Sequence, residues 1–220
     1  MPLNINGTTG ISGVDASVSA PALTGTDSNT GISFPAADTI KFSTGGVERM
    51  AITNSGITGI SGGKIGQVLQ TTKTDTFSLN SSSYSDISGM GVAITPVATT
   101  SKVLVLVDLK VGADHGDSDF FMQLLRGSTA IYNGDTSGVR TSGFFGLSLF
   151  AINDGLGDRT MRQVSATFLD SPNTTSATTY KVQMSNKGGR TNYINRQGLD
   201  SNLENFPRTS SSITVMEVLA

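Results

Sequence analysis

The sequence predicts an all-β chain, and three observations carry that prediction. Short apolar runs alternate in a two-residue period, Gly, Asn, Asp, Ser and Pro cut them at modest spacing, and no segment sustains helical periodicity. The clearest run is Lys102 to Val111, KVLVLVDLKV, where Val103, Val105, Val107, Leu109 and Val111 fall on one face. Leu104 and Leu106 fall on the other face before Asp108 and Lys110, so the run is expected to be buried on both faces in its first half and on one in its second. Shorter alternations follow at Phe120 to Leu125, Phe144 to Ile152, Val164 to Phe168, Tyr180 to Met184 and Ile213 to Val218. Many strands of this kind at such intervals make a sandwich or a barrel.

Composition bounds the function. Of 220 residues, 36% are apolar and 15% charged, which places the chain among folded proteins of one or two domains. Fifteen basic and seventeen acidic residues leave a net charge of −2, too weak a field to gather nucleic acid or an anionic membrane. The absence of cysteine excludes disulfides, thiolate metal sites and a cysteine nucleophile. A single histidine, His115, excludes a multi-histidine zinc site. The first residues carry no basic and apolar leader pattern, and no apolar run approaches the roughly 20 residues that span a bilayer, so a soluble chain without membrane insertion is expected.

The first third is built differently from the rest. Thr-Gly-Ile-Ser occurs at Thr9 to Ser12, Thr30 to Ser33 and Thr58 to Ser61, returning one isoleucine to the same small, polar setting. Ile40/Phe42 and Met50/Ile52 alternate between turn formers. Such a segment has too few large side chains to close a core alone, so its isoleucines are expected to meet those of identical neighbouring chains. Composition shifts near Lys64 to Gln70, which places a boundary at about Gly66: residues 1–66 form an attachment or stalk segment and residues 67–220 a head.

The stalk segment contains Ala20-Pro21, Asp27 with Asn29-Thr30-Gly31-Ile32, Pro35 with Ala37-Asp38 and Ile40, and Thr44-Gly45-Gly46 with Glu48-Arg49 and Ile52. In this pattern it resembles a repeat of tailed-bacteriophage fibre proteins. The head contains Gln70-Thr71-Thr72-Lys73-Thr74-Asp75-Thr76-Phe77, Ile94-Thr95-Pro96 with Ser101 to Val105, Leu169-Asp170-Ser171-Pro172 with Thr178-Thr179-Tyr180, and the closing Ser212 to Glu217. It resembles the C-terminal jelly-roll heads of such fibres and, in architecture only, the C1q/TNF jelly roll. The resemblance implies an extended β-structured stalk followed by a jelly-roll β-sandwich head, assembled as a homotrimer. It also implies a virion structural protein, either a tail fibre that binds a host surface glycan or protein, or a head fibre or capsid decoration, attached to other virion proteins through its N-terminal segment.

Candidate chemistry is sparse. Gly112 to Asp119 holds Asp114, His115, Asp117 and Asp119, which in a loop offer oxygen ligands but miss the spacing of a calcium-binding loop; a solvated acidic turn without a metal is expected. Asp154, Asp158, Asp170, Asp200 and Glu204 supply carboxylates for a polysaccharide-degrading tailspike, yet there is no tryptophan to stack on sugar, and neither an enzyme nor a cofactor is expected. The better candidate is the irregular stretch from Ser185 to Arg208, where Lys187, Arg190, Tyr193, Arg196 and Arg208 stand among Asn, Gly and Ser. Arginine forks grip phosphate or carboxylate and tyrosine lies against sugar, so these five are the expected receptor contacts.

Overall fold

The computed structural model describes residues 4–6, 10–12, 16–59, 65–148 and 157–219. The chain divides into two compact units, Met1–Gly62 and Gly63–Ala220. Gly66, the boundary read from composition, is the second residue of a strand in the second unit.

The first unit contains β1 (Asn4–Asn6), β2 (Gly10–Ser12), β3 (Leu23–Thr24), β4 (Gly31–Ser33), β5 (Ile40–Thr44), β6 (Val47–Thr53) and β7 (Gly56–Thr58). β1 and β2 form a hairpin with Ile5 opposite Ile11, and β3 to β7 form one antiparallel sheet in sequence order. The first two copies of the Thr-Gly-Ile-Ser motif each supply the same Gly-Ile-Ser strand, β2 and β4. Gly45 and Gly46, both at positive φ (61° and 72°), close the two-residue turn between β5 and β6, which L side chains would strain.

Register makes this sheet two-faced. Leu23, Ile32, Phe42 and Met50 lie side by side across β3 to β6, and Ile40, Ile52 and Ile57 lie side by side across β5 to β7. Both rows share one face, because Ile40 and Phe42, like Met50 and Ile52, are two residues apart. The opposite face carries Ser33, Lys41, Ala51 and Thr58, with Lys41 paired to Glu48 at 2.7 Å. Ala51 is the sole buried hydrophobic residue among the described residues of this unit.

The second unit contains β8 (Ile65–Lys73), β9 (Phe77–Leu79), β10 (Ser85–Ile94), β11 (Lys102–Ala113), β12 (Phe120–Arg126), β13 (Thr129–Ile131), β14 (Phe145–Leu147), β15 (Met161–Asp170), β16 (Thr178–Ser185), β17 (Asn192–Ile194) and β18 (Ser211–Val218). One sheet runs β8-β18-β11-β17-β9 with β15 on the other side of β11; the other runs β10-β16-β12-β13 with β14 continuing beside β12. The chain changes sheet at β9 to β10, β10 to β11, β11 to β12, β14 to β15, β15 to β16 and β16 to β17. That alternation of long connections is the jelly-roll order, so the unit is a jelly-roll β-sandwich within an all-β chain. Helix among the described residues amounts to one 3-10 turn, Gly157–Arg159.

Alternation in β11 sets the core. Val103, Val105, Val107, Leu109 and Val111 point inward and meet Met122 and Leu124 of β12, Tyr180, Val182 and Met184 of β16, and Ile213 and Val215 of β18. Leu104 and Leu106 are only half-buried, which corrects the expectation that the first half of this strand is covered on both faces. They lie on the outer face of their sheet, where Leu104 stands in one row with Met216, Val68 and Leu169. The strand expected over 144–152 is realised as Phe145–Leu147, and residues 149–152 lie outside the described residues.

Both ends of this unit emerge at one end of the sandwich, where Ile65 pairs with Val218 and Val218 with Lys102. Polar groups lock that end. Arg126 Nη1 donates to both carboxylate oxygens of Asp170 at 3.0 and 2.9 Å, and Tyr180 donates its hydroxyl hydrogen to Asp170 at 2.6 Å, tying β12, β15 and β16 together. Burial, together with the carboxylate beside it, pushes the Tyr180 hydroxyl far above its ordinary value, so it stays a donor. Glu217, fully buried, accepts from Val97 N at 2.7 Å and Gln67 Nε2 at 2.8 Å, fixing the β10–β11 connection against β8.

Val105→Asp should unfold the sandwich. The side chain is fully buried among apolar neighbours, and an unpaired carboxylate there costs more than about 4 kcal/mol, a large share of a domain's stability. Denaturant melts check this, and a loss below about 0.5 kcal/mol would show that the face is not buried.

Candidate functional site

At the other end of the sandwich, away from the chain ends, three connections gather: 80–84, 114–119 and 186–210. All five residues expected to contact a receptor lie in or beside the last of these, and the structure divides them into two groups.

The first group is Lys187 and Arg190. The turn after β16 is shaped by Asn186, which is buried and whose Oδ1 accepts from Gly188 N at 2.8 Å and Arg190 N at 3.4 Å, while its own N donates to Ser81 O at 2.8 Å. Lys187 donates from Nζ to Ser82 O, and its side chain is exposed. Arg190 grips Asp117 with a fork, Nε at 3.0 Å and Nη2 at 3.2 Å. His115 Nδ1 also touches Asp117, so the acidic loop and the basic stretch neutralise each other. The Arg190 guanidinium, helped by His115, holds the Asp117 carboxyl below its ordinary range. Asp114 is equally engaged: its Oδ2 accepts from Thr191 N at 2.9 Å, and its own N donates to Thr191 O at 3.0 Å. The loop is therefore a turn tied to the 186–191 turn rather than three carboxylates free in water. Among the described residues, no group of three or more His, Cys, Asp or Glu side chains is placed to hold a metal ion.

The second group is Tyr193, Arg196 and Arg208. The stretch from Ser185 to Arg208 is not irregular throughout, because Asn192–Ile194 form β17 between β11 and β9, placing Tyr193 beside Gly112 and Ser78. The Arg196 guanidinium lies over the Tyr193 ring, 3.7 Å from its centre, and Arg196 Nη1 donates to Gln197 O and Gly198 O, both at 3.1 Å. One face of the ring is thus occupied, and a sugar has the other face alone to stack on. Arg208 Nη2 donates to Asp200 Oδ2 at 2.7 Å, and Arg196 stands 3.4 Å from the same carboxylate. The Arg208 charge keeps the Asp200 carboxyl below its ordinary range.

Two devices that place this group carry weak sequence signals. Asn195 is fully buried at φ 65°, in the left-handed region that Asn tolerates better than other side chains. Its N donates to Lys110 O at 2.8 Å, its Nδ2 to Lys73 O at 2.8 Å and Asp75 O at 2.9 Å, and its Oδ1 accepts from Ser211 Oγ at 2.6 Å. Through its main-chain N and its side chain, this one residue therefore joins β8, β11, β18 and the long loop. Gly112 and Gly198 let the loop lie directly on β11: a Cβ on Gly112 would come 2.2 Å from Arg196 O, and one on Gly198 would come 2.2 Å from Ala113 O. Asn in a Gly-rich stretch was the available hint for the first; for the second, a glycine inside a strand pattern marks close backbone approach.

Two of the remaining carboxylates, Asp170 and Asp200, lie apart and are each paired with arginine. Asp170 is buried in its pairing with Arg126 and Tyr180 at the opposite end of the sandwich from Asp200, which is taken by Arg208. Asp154 lies outside the described residues.

Comparison with known proteins adds the following. No protein-family model matches the chain, and no curated protein does. Among solved structures, it is similar to the insecticidal delta-endotoxin Cry8Ea1 of Bacillus thuringiensis, with 18% identity and TM-score 0.33 over 66% of this chain and 20% of that one. It is also similar to a structure of infectious bursal disease virus, Gx strain, with 14% identity and TM-score 0.36 over 75% of this chain and 42% of that one. A third is the Eiger TNF of S. frugiperda, with 9% identity and TM-score 0.30 over 70% of this chain and 93% of that one. Likeness at this level carries no functional argument, and the jelly-roll assignment rests on the strand order itself.

Asn195→Ala should destabilise the second unit by about 2 to 3 kcal/mol in denaturant melts, because it leaves the buried Lys73 carbonyl and the buried Ser211 hydroxyl without this partner. Acid should loosen the long loop before it unfolds the core. Asp117 and Asp200 both titrate below their ordinary value of 3.8, so their ion pairs stabilise fully above that value and are lost as pH falls through the lowered one. Hydrogen-exchange protection over residues 186–208, taken relative to the intrinsic exchange rate at each pH, should stay constant above about pH 5 and fall selectively below about pH 3.8.

Proposed function

We propose that this chain is a non-enzymatic structural protein of a bacteriophage particle, assembled as a homotrimer. The first unit serves as its stalk and attachment segment, and the sandwich as the outward head. The head acts as a tail-fibre tip that adheres to a host surface glycan or protein. One geometric observation carries this reading: the sandwich receives the chain at Ile65 and ends at Val218 on one end, while the Lys187, Arg190, Tyr193, Arg196 and Arg208 region crowns the other. A head tethered at one end and charged at the other is the arrangement an adhesin needs. The stalk-repeat and jelly-roll resemblances supply the virion setting.

The chemistry of the crown favours weak, repeated contact. Its arginines are held by Asp117 and Asp200, so each offers an oriented but partly neutralised cation, and affinity then comes from several copies acting together. Lys187 and Arg208 are the exposed cations of the set and the first expected to reach a ligand.

Purified full-length chain, pre-incubated with host cells, should lower adsorption of the particle, and Lys187→Glu with Arg190→Glu should abolish the competition while leaving the melting transition in place. Unchanged adsorption, with labelled protein located on the capsid shell, would favour the decoration role. Loss of polymer on incubation with host glycan would establish an enzyme instead.

A further inference from the structure

Asp200 stands between two arginines. Arg208 Nη2 lies 2.7 Å from each of its carboxylate oxygens, and Arg196 Nη1 lies 3.4 Å from Oδ2, so the three side chains together carry an excess of one positive charge. Glu204, the other carboxylate of this loop, makes no ion pair with either arginine among the described residues. The other basic group of the crown has no such excess, because Asp114, Asp117 and Asp119 surround Lys187, Arg190 and His115 there. The two arginines also differ in freedom. Arg196, with 18% of its side chain exposed, is fixed by Gln197 O, Gly198 O and the Tyr193 ring, whereas Arg208 and Asp200 are 53% and 39% exposed.

We infer that this is a binding site for the oxyanion of an acidic host glycan, in which Asp200 fills the ligand's place until the ligand arrives. The inference rests on the adhesin reading and names the ligand class of one site in its crown. The space between the guanidinium groups already accepts a carboxylate, so the carboxylate or phosphate of a glycan can use the same donors. Asp200 keeps both cations aimed at one point while the site waits, which lowers the ordering cost of binding. Its exposure lets it swing into water when replaced, so the exchange is easy and the affinity of one site is low, as binding by many copies requires. Tyr193 selects a sugar over an acidic peptide. Its ring lies against Arg196, and its neighbours across the strands are the small residues Gly112 and Ser78, so an aromatic body is available beside the cations for the ring that bears the anion.

Removing the internal competitor supplies the test. Full-length protein, Asp200→Asn and Arg208→Gln are titrated at low ionic strength with polygalacturonate, which offers carboxylate, with phosphomannan, which offers phosphate, and with neutral dextran and polyglutamate. Asp200→Asn should tighten binding of one acidic polysaccharide by about threefold or more, and Arg208→Gln should weaken it by a similar factor, with the melting transition of the sandwich retained in both. The polysaccharide that responds identifies the oxyanion, and dextran should not bind. A gain of affinity cannot arise from a damaged fold, so the Asp200→Asn arm decides the matter even where Arg208→Gln melts early. Equal or weaker binding by Asp200→Asn, or no binding of either acidic polysaccharide, would overturn the site, and polyglutamate binding as tightly as the polysaccharide would overturn its assignment to a glycan. If the chain still lowers adsorption of the particle in any of those cases, the adhesin reading stands without this site. Binding that responds to Asp200→Asn, in a chain that leaves adsorption unchanged, would keep the site and overturn the adhesin.

Discussion

The inward row of β11 is the constraint on which the sandwich depends. Five aliphatic side chains at alternate positions, all but fully buried, cannot shift by one residue without turning into solvent and presenting Leu104, Leu106, Asp108 and Lys110 to the core. β11 therefore fixes the register of its neighbours: β15 pairs along Val103 to Gly112, β18 along Lys102 to Asp108 and β17 along Val111 to Ala113. The last of these matters for function. By stopping at Asp108, β18 leaves the edge of β11 open for β17, and β17 carries Tyr193 and begins the turn at Asn195 that sends Arg196 back over its ring. The position of the charged crown follows from the length of one strand pairing.

The two units solve the problem of burial in opposite ways. The sandwich closes two sheets on each other and spends its polar residues on outer faces, as in the ladder where Gln123 donates to Gln183, and Gln183 and Lys181 both donate to Asp86. The Lys181 charge keeps that exposed carboxyl ionised below its ordinary range. In the five-stranded sheet of the first unit, small residues, Ser33, Ser43 and Ala51, are the buried ones and share one side. The large apolar side chains of its two rows face the other way, while Lys41 and Glu48 share the side of the small residues.

Periodicity made the sandwich legible, because a two-residue alternation with Val and Leu survives any tertiary context. Pairing was not legible. Leu104 and Leu106 look like core in sequence, yet they fall on an outer face shared with Val68 at 55% and Leu169 at 46% exposure, a fact that needs the register of three strands. β17 was hidden because Asn-Tyr-Ile is too short to show a period and sits among Gly and Asn. In the first unit, Ile40/Phe42 and Met50/Ile52 were visible as alternations, but that Leu23 and Ile32 complete their row depends on strand order. The candidate cations were readable by type. Their partners were not, since Arg190 and Asp117 are 73 residues apart and meet only because β11 and β16 end at the same level.

The two ends of the sandwich differ in how their charges are held, and that difference bears on which end can respond to a ligand. At the tethered end Asp170 and Glu217 are buried and saturated by Arg126, Tyr180, Val97 N and Gln67, so any movement exposes or orphans a charge and is opposed steeply. At the crowned end the carboxylates of Asp117 and Asp200 are about half-exposed and share arginines across loops, so an arriving anion can replace a carboxylate on an arginine at little cost, the displaced oxygen being taken up by water. Rigidity at one end and exchangeable ion pairs at the other are what the proposed adhesin would require of a surface that binds weakly, many times, without unfolding.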